Sequence, residues 1–180
     1  LVHTKYGDVL PSNKALAGAG IELIGMERRE FLLRDALDKV KDRYDFLFID
    51  CPPSLELLTL NALCAADAIL VPVQGEYYAL EGLSDLMNTV RIVRRSLNPR
   101  LELDGVLLTM FDGRTNLALQ VAEEVKHYFP GKVYATVTPR NVRLSEAPSH
   151  GKPITAYDRT SRGAEAYTAF AAEFLKKQSA

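Results

Sequence analysis

The sequence has few of the residues that build disulfide frameworks and zinc sites. Its 180 residues include two cysteines, Cys51 and Cys64, and three histidines. Two cysteines do not make a disulfide framework, and neither they nor the scattered histidines have the spacing of a structural zinc site. We therefore expect two reduced, partly buried thiols in a cytosolic protein.

Long hydrophobic runs are also missing. The longest stretch without a charge covers residues 57–66, which is about half of the roughly 20 apolar residues that a bilayer-spanning helix needs. The first residues, LVHTKYGDVL, lack the basic start and apolar run of a signal peptide. Leu1 is not an initiator methionine, so we expect a chain cut from a longer protein. Its length and the lack of a linker predict one domain over residues 1–180.

The net charge of −1 hides an asymmetry between the two halves of the chain. Residues 1–90 carry 8 Lys/Arg and 14 Asp/Glu, a net charge of −6, whereas residues 91–180 carry 14 and 9, a net charge of +5. A basic second half favours a polyanionic partner, and an ordinary solvated surface is the alternative.

The hydrophobic pattern alternates between short apolar runs and helical periodicity. Strands are predicted at 20–24, 45–49, 68–73, 103–109 and 133–137, and helices at 30–42, 57–66, 80–97, 116–128 and 164–177. Strands that alternate with helices indicate an α/β fold of three layers, a mostly parallel twisted sheet with helices on both faces. Ligands of such folds bind at the carboxyl ends of the strands, so the residues that follow each strand matter most.

Asp50 directly follows the apolar run DFLFI. A carboxylate at the end of a buried strand is costly unless something uses it. We interpret Asp50 as a Mg²⁺-binding residue that acts through water, in the manner of a Walker-B aspartate. Capping of the following helix is the alternative, and the intervening prolines argue against it.

The segments that directly follow three further strands, here called strand exits, are also polar; they are residues 74–78, 110–116 and 138–143. We expect Asp50, Arg114, Pro139 and Asn141 to gather at one edge of the sheet. The phosphate-binding pattern G-x-x-x-x-G-K-[ST] does not occur in the 180 residues. The fold is therefore expected to lack its N-terminal P-loop unit.

Long segments of the sequence resemble the ParA/Soj family of partition ATPases, within the MinD-type deviant-Walker P-loop class. They are LAGAGIELIG (16–25), YDFLFIDCPPSLELLTLNAL (44–63), VPVQGEYYALEGLSDLMNTV (71–90), GVLLTMFDGRTNLALQV (105–121), TPRNVRLSEAPSHGKPI (138–154) and SRGAEAY (161–167). The resemblance covers most of the chain. It implies a P-loop NTPase fold whose KGGVGKT loop would precede Leu1.

The resemblance also implies a function. Members of the family bind ATP and Mg²⁺, form an ATP-dependent homodimer and bind double-stranded DNA without sequence preference. They are regulated by a ParB-type partner. The expectation is thus an ATPase for chromosome or plasmid partition, cytoplasmic and nucleoid-associated, without a membrane partner. The 180-residue chain alone, without a Walker A loop, is expected to be inactive.

Residue roles carry over by position within the matching segments. Asp50 corresponds to the Walker-B aspartate. The second switch of the family corresponds to Cys51, Pro52 and Pro53. The segments that flank adenine correspond to Met110, Pro139 and Asn141. The DNA-contacting arginines correspond to Arg114 and Arg143. Gly75 departs from the family, whose members often have cysteine there, and Gly113 stands where they often have alanine.

Two other functions remain open from the sequence. A MinD-like membrane-positioning ATPase would need a basic amphipathic C-terminal helix, and the tail EFLKKQSA offers only a weak one. The other is a nucleotide-free fragment that binds DNA or a partner protein.

Overall fold

A computed structural model describes residues 1–52 and 54–179 of the chain. They fall into two compact units, one made of Leu1–Ile69 with Asp85–Glu102 and the other of Leu70–Ser84 with Leu103–Ala180. The expectation of one domain over residues 1–180 stays a prediction.

The first unit is mainly helical. The strands β1 (Val2–Thr4) and β2 (Gly7–Val9) form an antiparallel hairpin. The helices α1 (Ala15–Glu22), α2 (Leu32–Leu37) and α3 (Leu57–Ala65) follow, with short 3₁₀ turns at Leu23–Gly25, Arg29–Phe31 and Lys41–Arg43. β3 (Ala68–Gln74) begins in this unit, and α4 (Ala79–Ser96) ends in it.

The core of the first unit joins α3 to the second half of α4. Its fully buried side chains are Leu63, Cys64, Val90, Val93 and Leu101. Val90 and Val93 lie three residues apart on one side of α4, which is the spacing of a buried helix face. Burial raises the pKa of the Cys64 thiol, so this cysteine is an inert core residue.

Most residues of the parallel strands lie in the second unit. β4 (Glu102–Thr109) pairs with β3, and the pairing is parallel because Glu102 N–H donates to the Asp67 carbonyl while Thr109 Oγ1 donates to the Val73 carbonyl farther along both strands. Parallel bridges also join Val106 to Val133 and Phe111 to Pro139. α5 (Asn116–Tyr128) follows β4.

Three more helices complete the second unit. They are α6 (Val142–Glu146), α7 (Ile154–Tyr157) and α8 (Arg162–Gln178), with a 3₁₀ turn at Ala147–His150 between α6 and α7. Ala147, Ile154 and Ala164 form a small core among them. Ser161 caps α8, because its hydroxyl accepts a hydrogen bond from Ala164 N–H at 3.2 Å.

The prediction of a strand at residues 20–24 is wrong. These residues end α1 and continue into a 3₁₀ turn. A short apolar run fits either a strand or a helix, and here the alanines that precede it favour the helix because alanine has the highest helix propensity.

The strand predicted at residues 45–49 is not assigned in the described chain, where no strand lies between β2 and β3. Phe48 is 74% exposed rather than buried. A strand is defined by hydrogen bonds to a neighbour, and an apolar run supplies the side chains but not the neighbouring backbone.

The strand predicted at residues 133–137 is reduced to isolated bridges. Tyr134 N–H donates to the Val106 carbonyl and Thr138 N–H to the Leu108 carbonyl, at 2.9 Å each. Between them, the N–H groups of Ala135 and Thr136 donate to the Glu173 carboxylate of α8 at 2.7 and 2.9 Å. A side chain of α8 therefore takes two backbone donors of this segment.

Candidate functional site

The loop that follows β4 places Met110 and Arg114 beyond the carboxyl end of a parallel strand. Met110 adopts a left-handed backbone conformation with φ of +48°, which is uncommon for a residue with a side chain and is frequent at functional sites. The loop ends where the Thr115 hydroxyl caps α5 by accepting a hydrogen bond from Ala118 N–H at 3.3 Å. This loop corresponds to one predicted strand exit.

Arg114 is highly exposed and is held by a carboxylate two residues earlier. Its Nε and Nη2 donate to the two oxygens of Asp112 at 2.8 and 2.6 Å. Its backbone N–H donates to Asp112 Oδ1 at 3.1 Å. These hydrogen bonds lower the pKa of the Asp112 carboxyl from 3.8 to about 2.

A second predicted exit, residues 138–143, lies beside this loop. Phe111 N–H donates to the carbonyl of buried Thr138 at 3.0 Å, and Phe111 and Pro139 form a parallel bridge. Arg114 lies three residues after Phe111, and Arg143 lies four residues after Pro139. Both arginines therefore follow the same end of this pair of parallel segments.

Asn141 carries a buried, unused acceptor. Its Oδ1 has no hydrogen-bond partner in the part of the chain that the structure describes. Asn141 also precedes α6, but its side chain does not cap that helix. A buried amide oxygen without a partner is costly, so a ligand contact for Asn141 stays a prediction that this free acceptor suits.

Arg143 sits on α6 between two carboxylates. Its Nη1 donates to Glu146 Oε2 at 2.8 Å, and its Nε lies 3.4 Å from Asp158 Oδ2. Tyr157 also donates its hydroxyl to Glu146, at 3.1 Å. The bond from Arg143, followed by that from Tyr157, lowers the pKa of Glu146.

The exit after β3 lies close to the first turn of α5. A Cβ on Gly75 would stand 2.9 Å from the Ala118 Cβ and 3.1 Å from its Cα, so glycine permits this approach. The next residue, Glu76, lies 3.8 Å from the Arg140 guanidinium. The polar segments predicted after three strands, residues 74–78, 110–116 and 138–143, therefore all lie in the second unit.

Asp50 and the predicted switch belong to the other unit. Asp50, Cys51 and Pro52 are exposed, and Pro53 lies outside the described residues. Cys51 Sγ is 3.6 Å from the Ile49 carbonyl, and desolvation of the sulfur together with the charge of Asp50 raises the pKa of this thiol. The alternative role of Asp50 as a helix cap is wrong, because α3 begins at Leu57 after Glu56 and has no side-chain cap.

The expectation that Asp50 shares one edge with Arg114, Pro139 and Asn141 stays a prediction, since the two units are described separately. Among residues 1–52 and 54–179, no group of three or more His, Cys, Asp or Glu side chains is arranged to hold a metal ion. A single carboxylate is a normal protein contribution to a Mg²⁺ site, because this ion keeps several waters and binds substrate phosphates.

Sequence reasoning missed the carboxylates that hold the two arginines. The signals were present: Asp112 lies two residues before Arg114, and Glu146 lies three residues after Arg143 on the same helix. It also missed the unused acceptor of Asn141, which depends on packing that no sequence pattern displays.

Comparison with known proteins decides the family. A family model described as an AAA domain matches residues 2–103. The sporulation initiation inhibitor protein Soj of Bacillus subtilis is 63% identical over 92% of this chain and 66% of its own length. The chromosome-partitioning ATPase Soj of Thermus thermophilus is 51% identical over 98% of this chain and 70% of its own. The chain belongs to the ParA/Soj family.

A solved structure supports the fold of this ParA/Soj chain. The cobyrinic acid a,c-diamide synthase of Mycobacterium smegmatis, with bound ADP and magnesium, has a TM-score of 0.81 and 36% identity over 99% of this chain and 66% of that one. The predicted α/β, P-loop NTPase-like class with a parallel sheet is therefore confirmed.

The chain spans about two thirds of the length of the curated relatives, 66% of the Bacillus subtilis protein and 61% of the Myxococcus xanthus chromosome partitioning protein ParA. Among the described residues, no helix is long and apolar enough to cross a membrane.

Proposed function

We propose that this protein is an ATP-dependent partition ATPase that dimerises with ATP, binds DNA without sequence preference and is regulated by a ParB-type partner. We also propose a cytoplasmic, nucleoid-associated location. The observation that carries this proposal is the parallel pairing of Phe111 with Pro139, which sets two arginine-bearing exits side by side. The names of two curated relatives, the chromosome partitioning protein ParA of Myxococcus xanthus and the chromosome-partitioning ATPase Soj of Thermus thermophilus, support a partition function.

The segments around Met110, Pro139 and Asn141 fit a nucleotide base. The unused Oδ1 of Asn141 is an acceptor for an exocyclic amine such as that of adenine. Pro139 forms the bridge with Phe111, and Met110 directly precedes Phe111. Met110 is 50% exposed, so its apolar atoms are available to a flat ring. The solved relatives with ADP or an ATP analogue and magnesium support a nucleotide of this kind.

Asp50 is the residue proposed to hold Mg²⁺, through water. When bound, Mg²⁺ neutralises negative charge on the phosphates during phosphoryl transfer. Cys51, Pro52 and Pro53 follow Asp50 directly and are proposed to carry the state of the nucleotide to the dimer surface. Because residues 1–180 contain no phosphate-binding loop, the 180-residue chain alone is proposed to be inactive as an ATPase.

Arg114 and Arg143 are proposed to contact DNA phosphates. Both are exposed cations on short segments at the end of one parallel pair. Neutralising phosphates releases condensed counterions, which supplies affinity without reading bases. A dimer presents two such surfaces, and multivalency raises the apparent affinity of the ATP-bound form.

Two competing functions are less well supported. For membrane binding, α8 would have to offer its apolar face, but Phe170 packs edge-on against Tyr134 at 4.9 Å between ring centroids. The diamide synthase named above has a different activity, and at 36% identity it resembles this chain less than the Soj proteins at 51% and 63%.

The test is DNA retention by the complete protein with ATP, comparing wild type with the double substitution of Arg114→Ala and Arg143→Ala. We expect the double variant to lose DNA binding at low salt and to keep ATP binding. Lys126→Ala with Lys176→Ala removes the same charge from α5 and α8 and serves as the matched control. Equal retention of the arginine variant and wild type refutes the DNA-binding role, and binding to liposomes instead favours the membrane function.

A further inference from the structure

Each arginine proposed to meet DNA is already engaged by carboxylates of its own unit. Asp112 binds one edge of the Arg114 guanidinium, through Nε and Nη2. This two-point geometry matches the way in which a guanidinium binds a phosphate, so a phosphate must share or displace the carboxylate. The pair Asp112–Arg114 has no net charge as it stands.

Arg143 is engaged more heavily than Arg114. Glu146 accepts a hydrogen bond from it at 2.8 Å, and Asp158 lies 3.4 Å from its Nε. The three side chains together carry a charge of −1. Asp158 also accepts hydrogen bonds from the backbone N–H and hydroxyl of Thr160, so it is tied to the loop before α8.

We propose that Asp112 and Glu146 are internal competitors for the two arginines and set the strength and salt dependence of DNA binding. The proposal rests on the DNA-binding role of Arg114 and Arg143 proposed above. The two carboxylates are positioning residues, because they act on DNA through the arginines. They keep the affinity low enough for release when the dimer dissociates.

The charge on the Arg114 loop can be varied in steps of one. The wild-type pair is neutral, Arg114→Ala leaves −1, and Asp112→Asn leaves +1. Asparagine keeps the Oδ1 atom that accepts the Arg114 backbone N–H, so the turn is preserved while the charge is removed. The double variant, Asp112→Asn with Arg114→Ala, returns the loop to neutrality.

The expected size follows from Coulomb's law in water. A unit charge about 6 Å from a phosphate changes the binding constant about threefold when the dielectric constant is about 80. We therefore expect Asp112→Asn to bind DNA about three times more tightly than wild type. The slope of log affinity against log salt should steepen by up to about 0.9 per chain, because one more phosphate is neutralised.

Removing a carboxylate beside Arg143 should change the salt dependence of DNA binding less than removing Asp112 does. Glu146→Gln removes one of two carboxylates and leaves the remaining pair, Arg143 with Asp158, neutral. The affinity of the Glu146→Gln variant for DNA should rise, but the slope of log affinity against log salt should change less than in Asp112→Asn. This asymmetry follows from the number of carboxylates at each arginine.

The experiment measures affinity of the complete, ATP-bound protein for a double-stranded DNA fragment at several salt concentrations. The matched control is Glu123→Gln, which removes an equal charge from an exposed ion pair with Lys126 about two turns along α5. We expect tighter binding and a steeper slope for Asp112→Asn and near-wild-type binding for Glu123→Gln. Asp112→Asn should tighten binding less in the Arg114→Ala background than in the wild type, because no Arg114 guanidinium is left to release.

The outcomes separate the two proposals. If Arg114→Ala weakens binding while Asp112→Asn leaves affinity and slope unchanged or weakens binding, the competition proposal is overturned and the DNA-binding role stands. If Glu123→Gln tightens binding as much as Asp112→Asn, net charge is responsible and the proposal is again overturned. If Arg114→Ala together with Arg143→Ala binds DNA as wild type does, the DNA-binding role itself fails.

Discussion

Replacing Asn61 by alanine should destabilise the first unit strongly, although Asn61 belongs to no predicted site. Asn61 is 4% exposed and lies in the middle of α3. Its Oδ1 accepts a hydrogen bond from Leu33 N–H at 3.1 Å. Its Nδ2 donates to the carbonyls of Arg29 at 2.8 Å and Leu57 at 3.0 Å. One side chain therefore ties α3 to the segment that begins α2.

The cost can be worked out from these contacts. The Leu57 carbonyl belongs to the hydrogen-bond ladder of α3 and keeps a partner in the variant. The Leu33 N–H and the Arg29 carbonyl lose theirs, and a buried polar group without a partner costs about 1–3 kcal/mol. Since both bonds are only partly buried, we expect a loss of about 2–3 kcal/mol in the free energy of unfolding.

Urea unfolding followed by circular dichroism measures this loss. Asn88→Ala is the matched control, because Asn88 is exposed on α4 and bonds only to the Arg91 side chain among the described contacts. It should change stability by no more than about 0.5 kcal/mol. Asn61→Asp should be at least as harmful as Asn61→Ala, because it loses both donors and places a charge in the core. A loss for Asn61→Ala as small as that of the control would refute the reasoning.

Two further predictions concern the second unit. Gly105→Ala should lower stability by about 1–3 kcal/mol in thermal unfolding, because its Cβ would stand 2.6 Å from Tyr134 Cε2 and 2.8 Å from the Lys132 carbonyl; an unchanged melting temperature would contradict this. The Asp112 carboxyl should titrate at about 2 by NMR, and Arg114→Ala should return it towards 3.8. Because folding lowers this pKa, its contribution to stability is complete above about pH 4 and is lost as the pH falls towards 2. Titration of Asp112 near 3.8 in the wild type would show that the ion pair does not form.

Much of the fold follows from hydrophobic periodicity. The inward faces of α4 and α5 are readable because Val90, Val93, Val121 and Val125 recur at helical spacing, and all four are buried. The parallel strands β3 and β4 are readable because their apolar runs are continuous rather than alternating.

Strand pairing was the part that the sequence could not supply. An apolar run such as 45–49 predicts a buried strand, but a strand also needs a neighbouring backbone, and none is assigned beside it in the described chain. At 135–136 the competitor was Glu173, 37 and 38 residues away, whose carboxylate takes two backbone donors. Contacts of this sequence separation leave no local pattern.

The strand exits were the readable part of the candidate site. The rule that ligands bind at the carboxyl ends of parallel strands selected residues 110–116 and 138–143, and the structure joins them through Phe111 and Pro139. The pairing of Arg114 with Asp112 was not foreseen, because a loop carboxylate near an arginine is common and its geometry depends on the turn.

Whether nucleotide controls DNA binding is decided by one comparison. DNA affinity of the complete protein should be measured with a non-hydrolysable ATP analogue, with ADP and without nucleotide. We predict strong retention with the analogue, weak retention in the other two conditions, and loss of the difference when Asn141 is replaced by alanine. Equal DNA affinity in all three conditions would contradict the proposal that this chain is part of an ATP-controlled DNA-binding switch.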